Sequence, residues 1–308
     1  MRNAQFSINN FERKAQKTET GKGLDDQNNM DMDYFRGRVL PVIQNMKRDM
    51  RMNDIDVVYT VATAAYRTAK NRDEIIECIR KEAGINVRIL SKQEESVATM
   101  FAYGITSRYK VEIQQCPHSI MIDQGGGSTE ISVFNQGELV GSYSINLGTT
   151  ALRNILTKDI SPEMSMKDAL KKSDQMLRER MVAFTKNMGE IMNSTTDTFC
   201  VSVGTAITSA TGKKNNASQH DSILTYEALN EKIQTLTSKI LDRFETVGDL
   251  INWESQMIDD QMDRNLTMRM GLPMFILLMD KFNIPAIHVC GTGLWYGIYL
   301  QHLYNIAD

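Results

Sequence analysis

Apolar positions change their spacing midway along the chain. Over residues 31–52, Phe35, Val39, Ile43 and Met46 recur at helical intervals, interrupted by Pro41. Asp56–Val61 then reads as a buried strand, and Asn86–Leu90 as a second one. Between them, Asn71 followed by Glu74 predicts a capped helix start, with the helix running to Ala83 and stopping at Gly84. Gln93 to Tyr103 predicts another helix, ended by Gly104. Strand, helix, strand, helix is an α/β order. A weaker strand signal lies at Phe11–Lys17.

After Pro117 the spacing shortens. Ser119–Ile122, Thr129–Phe134 and Leu139–Ile145 are apolar segments separated by glycine-containing turns, which predicts an antiparallel meander. Met166 to Met192 predicts a long amphipathic helix, Phe199–Val203 a strand, and residues 225–281 mostly helix. In that last stretch the methionines of 257–279 read as core packing. Ala286–Cys290 is a final strand before a closing helix. The change in spacing sets a domain boundary near 114–118, with residues 1–116 as domain one and 117–308 as domain two.

Composition narrows the function classes. With 42% hydrophobic and 24% charged residues, the chain is of ordinary globular type. A net charge of −3 argues against a nucleic-acid partner. The longest apolar runs, such as Met274–Met279, are far short of a membrane span, and no secretory leader is expected. Cys78, Cys116, Cys200 and Cys290 form no CxxC pair, which fits reduced thiols in a cytoplasm. The four histidines show no metal-ligand spacing.

The chemistry-bearing pattern is a strand that ends in a glycine turn and polar residues. It occurs at 120–130, 199–205 and 286–293. Such turns leave peptide N–H groups open to phosphate oxygens. In the first, Asp123 and Glu130 bracket Gly125-Gly126-Gly127, and paired carboxylates beside a phosphate suit Mg²⁺ or the orientation of an attacking water. A hairpin turn with solvated carboxylates is the alternative. Arg67, just past a strand end, has the fork to clamp a phosphate, though an arginine so placed, taken alone, is more often a surface residue. Glu94-Glu95 opens a helix, where the dipole alone favours acids. Lys213-Lys214 reads as a solvated loop or a polyanion contact.

These segments, in this order, resemble the Ppx/GppA family of exopolyphosphatases and guanosine pentaphosphate phosphohydrolases. ATAAYRTAKNRDE (62–74) is similar to the family's ATSAxRxAxN, ILSKQEES (89–96) to ISGxEEA, and MIDQGGGSTEIS (121–132) to DIGGGSTEL. NLGTTALR (146–153), VGTAIT (203–208) and GTGLWYGIYL (291–300) are weaker matches. The resemblance implies an actin/Hsp70-like (ribonuclease H-like) α/β fold of two domains with an interdomain cleft. Domain one is expected to be N-terminally truncated, because no Asp-x-Gly-Ser-Asn-Ser loop precedes Arg67.

The resemblance further implies hydrolysis of terminal phosphoanhydride bonds of polyphosphate, with pppGpp as a second substrate, in a cytoplasmic homodimer. Glu95 resembles the glutamate that activates water, and Arg67 and Glu130 complete the catalytic set. Asp123 and Glu130 resemble the Mg²⁺ ligands. Gly125, Gly126, Gly127, Ser128 and Thr129, with Gly204 and Thr205, resemble phosphate-binding positions. A family member that binds polyphosphate or nucleotide without turnover is the alternative.

Overall fold

The structure is a computed structural model and describes residues 18, 20–25, 27–56, 59–105, 112–113, 115–189, 198–212, 222–256, 260–291 and 293–303. The expected strand at 11–17 and the lysines at 213–214 lie outside the described residues. The chain divides into two compact units, Met1–Ile89 and Leu90–Asp308. This division lies ahead of the expected boundary near 114–118. The helical stretch that begins at Lys92 packs along the closing helix of the second unit and goes with it.

In the first unit a helical turn, Met32–Tyr34, and a π turn, Phe35–Val39, lead into α1 (Leu40–Met52). Pro41 stands in the first turn of α1, directly after the π turn, so the helical backbone runs through this point but changes its hydrogen bonding beside the proline that cannot donate. β1 (Val61–Ala62) pairs in parallel with β2 (Arg88–Ile89), and α2 (Ala64–Thr68) and α3 (Arg72–Ala83) connect them. α3 ends at Gly84, whose φ of 62° is left-handed, as expected for a helix stop. Asn71 does not cap α3 with its side chain. Its amide instead accepts from Met30 N at 2.8 Å and donates to Met30 O at 2.9 Å, holding the preceding loop. Phe35, Val39, Leu40, Ile75 and Ile79 form this unit's core.

The second unit opens with α4 (Lys92–Ile105), which runs through Gly104. The meander follows as β3 (His118–Gln124), β4 (Thr129–Asn135) and β5 (Glu138–Ile145), antiparallel as expected. Then come α5 (Thr149–Lys158), α6 (Met166–Gly189), β6 (Phe199–Gly204), α7 (Thr205–Ala210), β7 (Ser222–Thr225) and α8 (Tyr226–Leu241). α9 (Val247–Gln256), α10 (Asp260–Phe282), β8 (Ala286–Val289) and α11 (Leu294–Leu303) complete it. The sheet order is β5-β4-β3-β6-β8-β7, with β3, β6 and β8 parallel and the remaining pairs antiparallel. A meander feeding parallel central strands is the actin-like α/β arrangement.

Alternation along the strands sorts their side chains by face. Ile120, Ile122, Ile131 and Val133 point into the large core formed with α5, α6, α8, α9 and α10. Met268, Met270, Met274 and Met279 of α10 are buried there, in line with the reading of this stretch as core packing. Two buried arginines tie the helices together. Arg153 of α5 contacts Glu254 and Asp263, and Arg269 of α10 forms a fork on Asp174 at 3.0 and 2.7 Å. Asp123, Glu130 and Ser144 alternate to the opposite face.

Candidate active site

α4 begins with a capping box. Glu94 N donates to Ser91 Oγ at 3.1 Å, and Ser91 N donates to Glu94 Oε2 at 2.7 Å. Glu94 is therefore occupied at the helix start, and the adjacent Glu95 turns inward, 7% exposed. One helical turn on, Thr99 shares its face and is also buried. Thr99 Oγ1 donates to Asp123 Oδ2 at 3.2 Å, joining α4 to the end of β3. Ser96 and Ser142 place their hydroxyls 2.9 Å apart, joining α4 to β5.

The β-sheet register sets the rest of the acidic cluster. Asp123 lies directly opposite Glu130 across β3 and β4, and Glu130 lies opposite Ser144 across β4 and β5. Glu130 Oε1 accepts from Ser128 Oγ at 2.7 Å and from Ser144 Oγ at 3.0 Å. Like charges placed opposite each other are unfavourable unless something uses them. The Asp123 carboxyl records the cost: burial, then the charges of Glu130 and Glu95, push its pKa up to about 7, and the Thr99 hydroxyl holds it lower. Glu95, Asp123 and Glu130 thus form one electrostatic group. Among the described residues no set of three or more Asp, Glu, His or Cys side chains closes around a metal ion. Mg²⁺ needs no such cage, since one or two carboxylates with waters hold it.

The triple glycine is the turn between the two acidic strands, and Gly125, Gly126 and Gly127 are all exposed. Its carbonyls are bound from below by the start of α5. Thr149 N donates to Gly125 O at 2.9 Å, Thr150 N to Gly126 O at 2.8 Å, and Gly148 N to Gly127 O at 3.2 Å. A Cβ on Gly148 would collide with the Gly126 peptide, so the close approach requires glycine there. Gly125 N is bonded to Ser128 O at 3.0 Å. Among the hydrogen bonds of the described residues, the amides of Gly126 and Gly127 have no protein acceptor. Exposed, uncommitted N–H groups beside three carboxylates can take an anion that arrives with a cation.

Other expected positions fall differently. Thr129 alternates to the core face, fully buried, and its hydroxyl donates to Leu147 O at 3.0 Å, which removes that side chain from the phosphate set. Gly204 ends β6 in register with Gln124, and Thr205 begins α7, exposed. Arg67 lies on α2 of the first unit, half-buried, while the acidic cluster belongs to the second.

The sequence pattern of the Ppx/GppA phosphatase family matches residues 1–305. The chain belongs to the Ppx/GppA family. A guanosine-5'-triphosphate,3'-diphosphate pyrophosphatase of Pseudoalteromonas atlantica is 29% identical over 140 residues, covering 45% of this chain and 26% of that protein. The match thus spans about a quarter of that curated relative's length. A Ppx/GppA member from Aquifex aeolicus superposes with a TM-score of 0.61 at 19% identity, covering 94% of this chain and 88% of that one. An exopolyphosphatase from Cytophaga hutchinsonii gives 0.71 at 17% identity, with 94% and 88% covered. At such identities the structural likeness is one of fold. No helix among the described residues is long and apolar enough to cross a membrane.

Within this Ppx/GppA chain, Thr99 and Ser144 lie outside the matching motifs, while Ser96 and Gly148 lie inside ILSKQEES and NLGTTALR, which give them no role of their own. Thr99 was available as the polar residue four positions after Glu95, and Ser142 and Ser144 as a period-two polar row in β5. Gly297 of α11 explains the closing GTGLWYGIYL motif. Its Cα lies so close to Ala98 that an added Cβ would overlap the Ala98 carbonyl, backbone against backbone. Gly297→Ala is expected to push α4 from α11, costing about 2 kcal/mol and lowering the melting temperature by about 5 °C. Thermal denaturation checks this, and an unchanged melting temperature would contradict it.

Proposed function

We propose that the chain hydrolyses terminal phosphoanhydride bonds of inorganic polyphosphate. The observation that carries this reading is the convergence, in one unit, of buried Glu95 and Glu130 and half-buried Asp123 beside an exposed glycine turn with uncommitted amides. Family membership supports it, and so does the curated relative's name, which places that protein's chemistry on a phosphorylated guanosine nucleotide.

In this mechanism Glu95 accepts the proton of the attacking water, since Glu94 alone serves the helix cap. The amides of Gly126 and Gly127 donate to phosphate oxygens and hold the terminal group. Asp123 and Glu130 are oxygen donors whose unfavourable proximity a divalent cation relieves, so this pair suits Mg²⁺. When bound, Mg²⁺ neutralises charge on the phosphate. Ser128 and Ser144 keep the Glu130 carboxylate in place throughout. The role of Arg67 as a phosphate contact rests on the motif resemblance alone.

The test is phosphate release by the purified protein. Release from polyphosphate is expected with Mg²⁺ and is expected to stop on adding EDTA. A parallel assay with pppGpp decides whether the nucleotide is a second substrate. Folded protein that binds polyphosphate without releasing phosphate would overturn the hydrolase reading in favour of a binding role.

A further inference from the structure

We propose that Thr99 is a positioning residue that sets the Asp123 carboxylate for the divalent cation. This rests on the reading of Asp123 as a cation-holding residue. Thr99 occupies the inner face of α4 among fully buried alanines, Ala98 and Ala102. An apolar residue would fill that place without the cost of burying a hydroxyl. The hydroxyl is spent on one partner, Asp123 Oδ2, at 3.2 Å. Thr99 and Glu95 lie one turn apart on the same helix, so this bond ties Asp123 to the helix that carries Glu95.

The chemical type of the donor also fits. Asp123 sits between the charges of Glu130 and Glu95, with burial adding to its load. A lysine or arginine there would neutralise the group and compete with a cation. A neutral hydroxyl orients one carboxylate oxygen and leaves the charge for the metal. β-Branching restricts the threonine side chain within a helix, so the donor is itself held in few rotamers. Donors behind a ligating carboxylate commonly change metal affinity by about 10–100-fold when removed.

The experiment measures Mn²⁺ binding to the substrate-free full chain, read as loss of the free-ion EPR signal, with melting temperature recorded alongside. Thr99→Val keeps the shape and removes the donor. Thr99→Ser keeps the donor, and Thr99→Ala removes both should valine pack badly. Valine and alanine are expected to weaken Mn²⁺ binding about tenfold, and serine to restore it to within about twofold. Mn²⁺ affinity that is unchanged in valine and alanine, even with a lowered melting temperature, would assign Thr99 to packing and overturn the inference. Failure of the unaltered chain to bind Mn²⁺ would overturn the cation reading of Asp123 and this inference with it.

Discussion

Glu95→Gln is expected to reduce phosphate release from polyphosphate by about a thousandfold, within the range of about 10²–10⁴ for a lost general base. The substitution keeps size and helix propensity while removing the group that takes the proton from water. Two features isolate this effect. The capping bonds of α4 use Ser91 and Glu94, so the helix start survives. The Glu95 charge also raises the pKa of Asp123, so its removal relieves that repulsion. Melting temperature should hold or rise while turnover collapses. Comparable turnover in the variant would move the base role to another residue.

Asp123→Asn is expected to separate stability from activity in opposite directions. The carboxyl has a pKa of about 7 in the folded chain, against an ordinary value of 3.8. A raised pKa means the folded state binds the proton more tightly than the unfolded chain does. That contribution is complete below about pH 4 and is lost as pH rises through about 7. At pH 8, without divalent cation, the wild-type chain carries a half-buried charge facing Glu130 and Glu95, and the amide does not. Asparagine should then raise stability by about 2 kcal/mol, a gain that fades as the pH falls toward 5. Mg²⁺ should reverse the order by stabilising the wild type and leaving the variant unmoved. Paired melts across pH 5–8, with and without Mg²⁺, check this. Equal melting temperatures at pH 8 would contradict it. Turnover should fall steeply in the variant, since an amide oxygen is a poorer ligand for a hard cation.

Much of this arrangement was legible in residue order. The meander, the glycine turn between Asp123 and Glu130, and the stop of α3 at Gly84 each follow from a local rule that tertiary packing did not override. Asn71 and Gly104 show where local rules lose. The Asn71 amide serves Met30, 41 positions away, and α4 continues past Gly104. The Glu94-Glu95 pair was ambiguous for a related reason. The helix dipole explains either acid, and only three-dimensional packing shows that Glu94 caps while Glu95 is buried. Thr99 and Ser144 act across elements, on Asp123 and Glu130, so no spacing within one element could assign their partners.

The bonds between the glycine turn and α5 carry a thermodynamic consequence. Three backbone donors, Gly148, Thr149 and Thr150, already hold the carbonyls of Gly125–Gly127. The most flexible residue type in the chain is thus ordered during folding, before any substrate arrives. Fixing a residue's backbone costs about 1–2 kcal/mol. Folding has already met that entropy loss for the whole turn, and the arriving phosphate keeps the binding energy that closing a loose loop would have consumed.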